Sequence, residues 1–202
     1  MSFDTLQKQR RSIYSLGKNV SQTPEEIFNI VKGAVRETPT AFNSQSVRAI
    51  VLTGAAHDRL WDIVLAKLKA VSKSAESFEK TTDKINQSFK AGFGTVLLFT
   101  DTPVVKGLEE NFPLYADNFY DWSEQGLGIA DYAIWVALAE AGIGASTQHY
   151  NPLIDEDVQN EFNIPSTWRL RAEMPFGSIE APAGQKDYMP DEDRFQLITS
   201  TK

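Results

Sequence analysis

Between Asp121 and Ala141 the sequence reads as one long helix that is apolar on several sides. A helix apolar all round has no face to give to water and is buried. In a chain of 202 residues, such a helix must run through the middle of whatever fold forms. It also calls for more covering surface than one domain of this size readily offers, which points to an obligate dimer. It ends at Ala141-Gly142-Ile143-Gly144, where the glycines close the helix and permit a tight turn. The two glycines invite a dinucleotide-loop reading, but the third is missing and the motif follows a helix where the fingerprint needs a strand.

Other elements arrange themselves around this helix. Residues 3–16 read as a short amphipathic helix with Arg10-Arg11-Ser12 inside it. Thr23-Pro24-Glu25-Glu26 is a capping box with proline at the first helical position, opening a helix that buries Ile27, Val31 and Val35. Val47–Thr53 is β-branched and reads as a strand stopped by Gly54. Leu60, Trp61, Val64, Leu68 and Val71 recur at helical spacing across 56–72. Lys73–Lys90 is polar and reads as a surface helix or excursion. Thr95–Thr100 suits a central, buried strand. Ile143–Thr147 is a further strand and Asp155–Phe162 a capped helix. In Trp168–Met174, Leu170, Ala172 and Met174 alternate with Arg169, Arg171 and Glu173, a strand with one apolar and one polar side. Helices and strands intermingle, and the alternating strand favours a central mixed or antiparallel sheet flanked by helices over a doubly wound parallel one. The expected class is α+β, with residues 1–202 forming a single domain.

Charge and composition narrow the function. Twenty Lys and Arg stand against 27 Asp and Glu, a net charge of −7, which disfavours nucleic acid and anionic membranes as partners. No stretch of 18 apolar residues occurs and the first eleven residues are polar, so a cytoplasmic protein is expected. The absence of cysteine removes thiol nucleophiles and thiolate metal sites. Two histidines, His57 and His149, make a polyhistidine metal site improbable by count, and no metal is expected. Redox chemistry in such a chain has to come from a bound cofactor.

Several polar groups carry candidate chemistry. Arg10, Arg11 and Ser12 form a phosphate grip, since guanidinium forks match phosphate oxygens bidentately; a solvated basic turn is the alternative. Asn43 and Gln45, in Pro39-Thr40-Ala41-Phe42-Asn43-Ser44-Gln45, offer donor and acceptor together, as a flavin edge or sugar-like hydroxyls require, or they are turn residues. Gln148-His149-Tyr150-Asn151-Pro152 lie just beyond a strand, where ligand contacts are frequent. His149 is either a general acid or a hydrogen-bonded structural residue. Lys186 and Arg194 are cations in a polar tail. Phe112, Tyr115, Phe119, Tyr120 and Trp122 crowd eleven residues, and Phe112 and Phe119 are the candidates for an aromatic lid over planar substrates.

Arg10-Arg11-Ser12-Ile13-Tyr14 and, about thirty residues on, Pro39 to Gln45 resemble the RRSxR and PSxxNxQ motifs of the nitroreductase family. The central helix ending in Gly142-Ile143-Gly144, and Arg194 in a Pro-x-x-x-Arg setting, are similar to further family features in the same order. Gln148-His149-Tyr150-Asn151-Pro152, Pro175-Phe176-Gly177 and Ala181–Gly184 look most like the short subgroup related to yeast fatty-acid-repression and homologous nitroreductases. The resemblance implies an α+β homodimer with FMN at the subunit interface, reduced by NADH or NADPH and reoxidised in ping-pong fashion by small aromatic electron acceptors such as nitroaromatics or quinones. It implies that Arg10, Arg11, Ser12 and Arg194, with Lys186, hold the phosphate end. It further implies that Asn43 and Gln45 reach the ribityl chain and ring, and that Thr147, Gln148 and His149 line the isoalloxazine. The flavin performs the chemistry, so no catalytic side chain is implied. A flavin-binding regulatory or stress-response protein with incidental turnover is the alternative function. Two positions depart from the family pattern: Tyr14 stands for the usual arginine, and His149-Tyr150 for the usual Glu-Gly.

Overall fold

The computed structural model describes residues 2–200; Met1, Thr201 and Lys202 of the expected 1–202 domain lie outside them. Among the described residues the chain forms seven α-helices and a five-stranded sheet. The helices are α1 (Phe3–Gln9), α2 (Pro24–Arg36), α3 (Gly54–Val71), α4 (Ala75–Lys84), α5 (Thr102–Asn111), α6 (Ala116–Glu140) and α7 (Asp155–Glu161). The strands are β1 (Leu16–Gly17), β2 (Val47–Thr53), β3 (Gly94–Asp101), β4 (Gly144–Ala145) and β5 (Trp168–Ile179). The sheet order is β1-β5-β3-β2, with β4 also on β5, and every strand pair is antiparallel. The sheet is therefore antiparallel and flanked by helices, the class expected. No described helix is long and apolar enough to cross a membrane.

β3 explains the layering. Its residues from Gly94 to Thr100 are all buried, and alternate side chains leave opposite faces. Val96 and Leu98 meet Ile27 and Val31 of α2 and Ala130, Ile134 and Leu138 of α6. Leu97 and Phe99 meet Leu60, Trp61 and Val64 of α3, with Ile154 and Val158 around α7. Two apolar layers thus enclose one sheet.

The α2 cap forms as its sequence requires: Thr23 N–H donates to Glu26 Oε2 at 2.7 Å and Glu26 N–H to Thr23 Oγ1 at 3.2 Å. α6 starts five residues before Asp121 and closes at Gly142, whose φ of 77° suits glycine. Ile143 N–H reaches Leu138 O and Gly142 N–H reaches Ala139 O, the paired bonds of a Schellman closure.

Four expectations need correction. The first helix ends at Gln9, so Arg10–Ser12 lie beyond it. Arg10 turns to an extended conformation, Ser12 bridges Ala145, and Ile13 N–H donates to Ala145 O. Extended pairing against β4 buries Ile13, which a longer helix would not. α7 begins at Asp155 with Ile154 at its N-cap position, which supplies no side-chain cap. The segment after α4 ends in a π-helical turn, Ile85–Phe89, in which Ile85 and Phe89 are fully buried, so only α4 is a surface excursion. Finally, β5 does not have one apolar and one polar side. A bulge sets Leu98 opposite Ala172 but Phe99 opposite Leu170, and the extra residue flips the parity. Leu170 joins the α3 layer, Ala172 and Met174 the α6 layer, and Glu173 is wholly buried.

Candidate flavin site

Past α1 the chain lays Arg10 across α6. The guanidinium carbon stands 4.3 Å from the centre of the Trp135 ring and 5.9 Å from that of Tyr132, a cation–π seat. Trp135 is fixed in turn by Nε1 donating to Ala145 O at 3.1 Å. Among the described residues Arg10 Nε is buried without a hydrogen-bond partner, and no carboxylate lies within salt-bridge distance of this guanidinium. A stacked, unneutralised guanidinium is a preorganised anion receptor. Arg10, Arg11 and Ser12 share a cleft of about 490 Å³ with Tyr14 and the start of the tail, including Lys186. Arg11 Nη2 donates to Gly184 O at 2.7 Å, which draws the tail over the cleft. Lys186 lies over the Tyr188 ring. Arg194 stands apart: it follows a short 3₁₀ turn, sits over the Phe195 ring and does not line the cleft.

The next segment borders the same part of α6. Thr147 Oγ1 donates to the Asp131 carboxylate, 3.1 Å from each oxygen. Burial pushes the Asp131 carboxyl up to about 6, against the downward pull of the Thr147 hydroxyl, His149 and Arg10. Gln148 exchanges both backbone bonds with Glu173, and its Nε2 donates to Ser146 Oγ. His149 is exposed.

The loop carrying Asn43 and Gln45 lies elsewhere on α6. Thr40 packs against Gly126, where an added Cβ would stand 3.3 Å from Thr40 Cγ2. Gln45 N–H donates to Thr40 Oγ1 at 2.9 Å. Phe42, Asn43 and Gln45 hold φ values of 56°, 50° and 50°, a concentration of left-handed residues that costs energy and is typical of ligand loops. Neither amide side chain makes a hydrogen bond within the described chain; both line a cavity of about 180 Å³ with Arg36 and Arg48. This cavity and the arginine cleft share no lining residue. From Gly126 to Trp135 is nine residues, roughly 14 Å of helix.

The aromatic segment surrounds Phe42. Its ring lies 4.9 Å from Phe112, 5.3 Å from Phe119 and 6.3 Å from Trp122, the last nearly parallel at 16°. Phe119 is 1% exposed and belongs to the floor of this cluster, not to a lid. Phe42, Phe112 and Tyr115 are its exposed rings, and Phe42 opens on an apolar groove of about 440 Å³ with Trp122, Gly126 and Ile129. Phe42, Asp131, Trp135 and Glu173 escaped the sequence reading. The signal available for Asp131 is that it is the single charged residue between Gln125 and Ala139 of an apolar helix.

Residues 8–178 match the model of the nitroreductase family. The chain belongs to the nitroreductase family. The nitroreductase HBN1 of Saccharomyces cerevisiae is 36% identical over 185 residues, covering 91% of each chain. The nitroreductase CinD from Lactococcus lactis, solved in complex with chloramphenicol, superposes with a TM-score of 0.90 at 52% identity over 98% of this chain and 100% of its own; a complex of CinD with 4-nitrophenol gives 0.89. The FMN-dependent nitroreductase NfnB from Mycobacterium smegmatis, in complex with NADPH, shares the fold at 15% identity, TM-score 0.74, over 97% of both chains. Nitroreductases are oxidoreductases, and the chain is an enzyme of that type.

Proposed function

We propose that this nitroreductase binds FMN, takes electrons from NADH or NADPH, and passes them to small aromatic acceptors such as nitroaromatics or quinones. The observation that carries the reading is Arg10: a guanidinium stacked on Trp135, its Nε buried and unpartnered, beside Arg11 and Ser12 in an open cleft. That donor set fits a phosphate monoester. Arg10, Arg11 and Ser12 would hold it, with Lys186 at the rim. The unpaired amides of Asn43 and Gln45 suit ribityl hydroxyls and a pyrimidine edge, and Thr147–His149 would border the ring. When bound, FMN supplies the hydride and electron chemistry. The protein's residues bind and orient it, exclude water and shape access. Phe42 and Phe112 offer exposed rings to planar acceptors, in keeping with the nitroaromatic ligands of CinD.

We further propose a homodimer. The amide cavity and the arginine cleft are separate in one chain, and Phe42, Leu114, Ile129, Phe195, Leu197 and Ile198 are exposed apolar side chains that a second copy could cover. Sedimentation at micromolar concentration is expected to give a dimer; a stable, flavin-loaded monomer refutes this. For the cofactor, the purified protein should absorb near 450 nm, roughly as free flavin does, and should oxidise NAD(P)H when 4-nitrophenol or a quinone is supplied. A colourless protein that leaves the fluorescence of added FMN unchanged overturns the reading.

A further inference from the structure

Residues 147–150 are fastened at both ends to a carboxyl, partly buried at one end and fully buried at the other. At one end Thr147 Oγ1 donates to both oxygens of Asp131 on α6. At the other, Tyr150 N–H donates to Glu173 Oε2 on β5 at 2.8 Å. Between them Gln148 N–H donates to Glu173 O at 2.7 Å and receives Glu173 N–H at 3.0 Å. In an extended segment alternate N–H groups point to opposite sides. Gln148 and Tyr150 therefore spend theirs on β5, while the His149 N–H makes no hydrogen bond within the described chain and its residue is exposed.

The fastening is expensive. Glu173 is wholly buried on the α3 side of the sheet, and its Oε1 has no partner. An unpaired buried polar atom costs about 1–3 kcal/mol, and a serine or glutamine would accept one N–H more cheaply. Packing does not require the acid either, because Trp61 and Phe89 already wall Tyr150. Asp131 is the matching case on α6, a partly buried carboxyl whose hydrogen bonds come from Thr147. Two costly carboxyls on separate elements converge on one four-residue segment, and that segment borders the Arg10 seat.

We propose that Asp131 and Glu173 are positioning residues of the cofactor site, clamping residues 147–150 from helix and sheet so that His149 and its unpaired N–H are presented to the bound flavin. The inference rests on the FMN reading above and adds the residues that fix the ring-facing segment. Burial pushes the Glu173 carboxyl up to about 8, so it is largely protonated at neutral pH, and glutamine is its faithful mimic.

The test uses the full-length protein and FMN as the probe. Binding is read by quenching of flavin fluorescence, and hydrogen exchange of the backbone amides is read in FMN-free protein. Glu173→Gln keeps an acceptor for Tyr150 N–H and should bind FMN as the parent does. Glu173→Leu removes it and should weaken FMN about tenfold, the loss of roughly one hydrogen bond. It should also speed exchange at Gln148 and Tyr150 selectively. Thr147→Val opens the other end from a half-buried position that folding tolerates, and should weaken FMN about threefold to tenfold. If Glu173→Leu does not fold, Thr147→Val decides alone. Native FMN affinity in a folded Glu173→Leu or in Thr147→Val, or faster exchange spread over the whole sheet, overturns the clamp. Arg10→Ala separates the two readings. If it loses FMN while both clamp variants keep it, only the clamp fails; if the parent protein binds no FMN, both fail.

Discussion

Glu173→Gln should stabilise the protein in alkaline solution by an amount that grows with pH. Burial is the main reason the Glu173 carboxyl is pushed up to about 8 from its ordinary 4.5; the Tyr150 N–H lowers it and the negative charge of Asp155 raises it. The unfolded chain releases this proton near 4.5, whereas the folded chain holds it until about pH 8. Between those values the folded state binds more protons, so stability falls as pH rises and levels off above 8. From pH 5.5 to 8 the span is two and a half pH units, and each unit corresponds to about 1.4 kcal/mol. The parent should therefore lose about 3 kcal/mol through this group across that interval, with no discount for solvent, since the side chain is fully buried. Glutamine does not titrate. The stability of Glu173→Gln minus that of the parent should thus rise by about 3 kcal/mol from pH 5.5 to 8. Urea unfolding followed by tryptophan fluorescence, in FMN-free protein at fixed ionic strength, measures both. Titrating groups not coupled to Glu173, His57 included, are common to the two proteins and cancel. A difference that stays flat with pH means Glu173 is ionised when folded, and the reasoning about its burial is wrong.

Arg10→Ala should weaken FMN about ten- to a hundredfold, the range of one or two charge-assisted hydrogen bonds, while Arg194→Ala, outside the cleft, should change it less; equal losses in equilibrium dialysis would reject the distinction. Thr95→Val should cost about 2–3 kcal/mol in urea unfolding, because Thr95 Oγ1 serves both His57 Nδ1 at 2.9 Å and Trp61 Nε1 at 3.1 Å. Gly177→Ala should lower the melting temperature, since its Cβ would stand 2.2 Å from Gly17 O and force β1 off β5; an unchanged melting curve would contradict that packing. Phe42→Ala should change kcat/KM for 4-nitrophenol and for a quinone by different factors at constant flavin content, whereas Phe119→Ala, under the surface, should chiefly reduce stability.

The parts of the fold that were legible in sequence are those with a single local cause. The capping box at Thr23 fixes the start of α2, the unbroken apolar run fixes β3 as a buried strand, and Gly142 fixes the end of α6. What stayed hidden depends on distant residues. The end of α1 is decided at Ala145, over 130 residues away, because residues 12 and 13 gain hydrogen bonds and burial by pairing there. The faces of β5 are decided by a bulge that no period-two count can register, and Glu173, opposite Leu97, is buried because helices cover both faces of the sheet, while its neighbours suggest a solvent-facing charge. The site divides in the same way. Arg10, Arg11, Ser12 and Lys186 line one cleft, although they come from opposite ends of the chain. Phe119 turns inward, because helical phase sets its direction and the start of α6 was placed five residues late.

α6 shows why a helix that reads as mere core can organise a site. Its apolar character fits burial, yet the residues that matter to ligand chemistry are its exceptions. Gly126 lets the Thr40 loop approach, Asp131 ties Thr147, and Tyr132 and Trp135 seat Arg10. All lie within ten residues, so their spacing is set by a rigid rod rather than by loops. A rod of this kind fixes relative positions to a fraction of its 1.5 Å rise per residue, whereas the loops it organises carry left-handed residues and unpaired amides that would not hold their geometry alone. The two carboxyls serve the same end: where a loop must be held to the rod or the sheet, a carboxyl reaches further than a backbone carbonyl and accepts from either a hydroxyl or an N–H. That reach is obtained at the cost of desolvation, which is why Asp131 and Glu173 hold their protons to higher pH than exposed acids do.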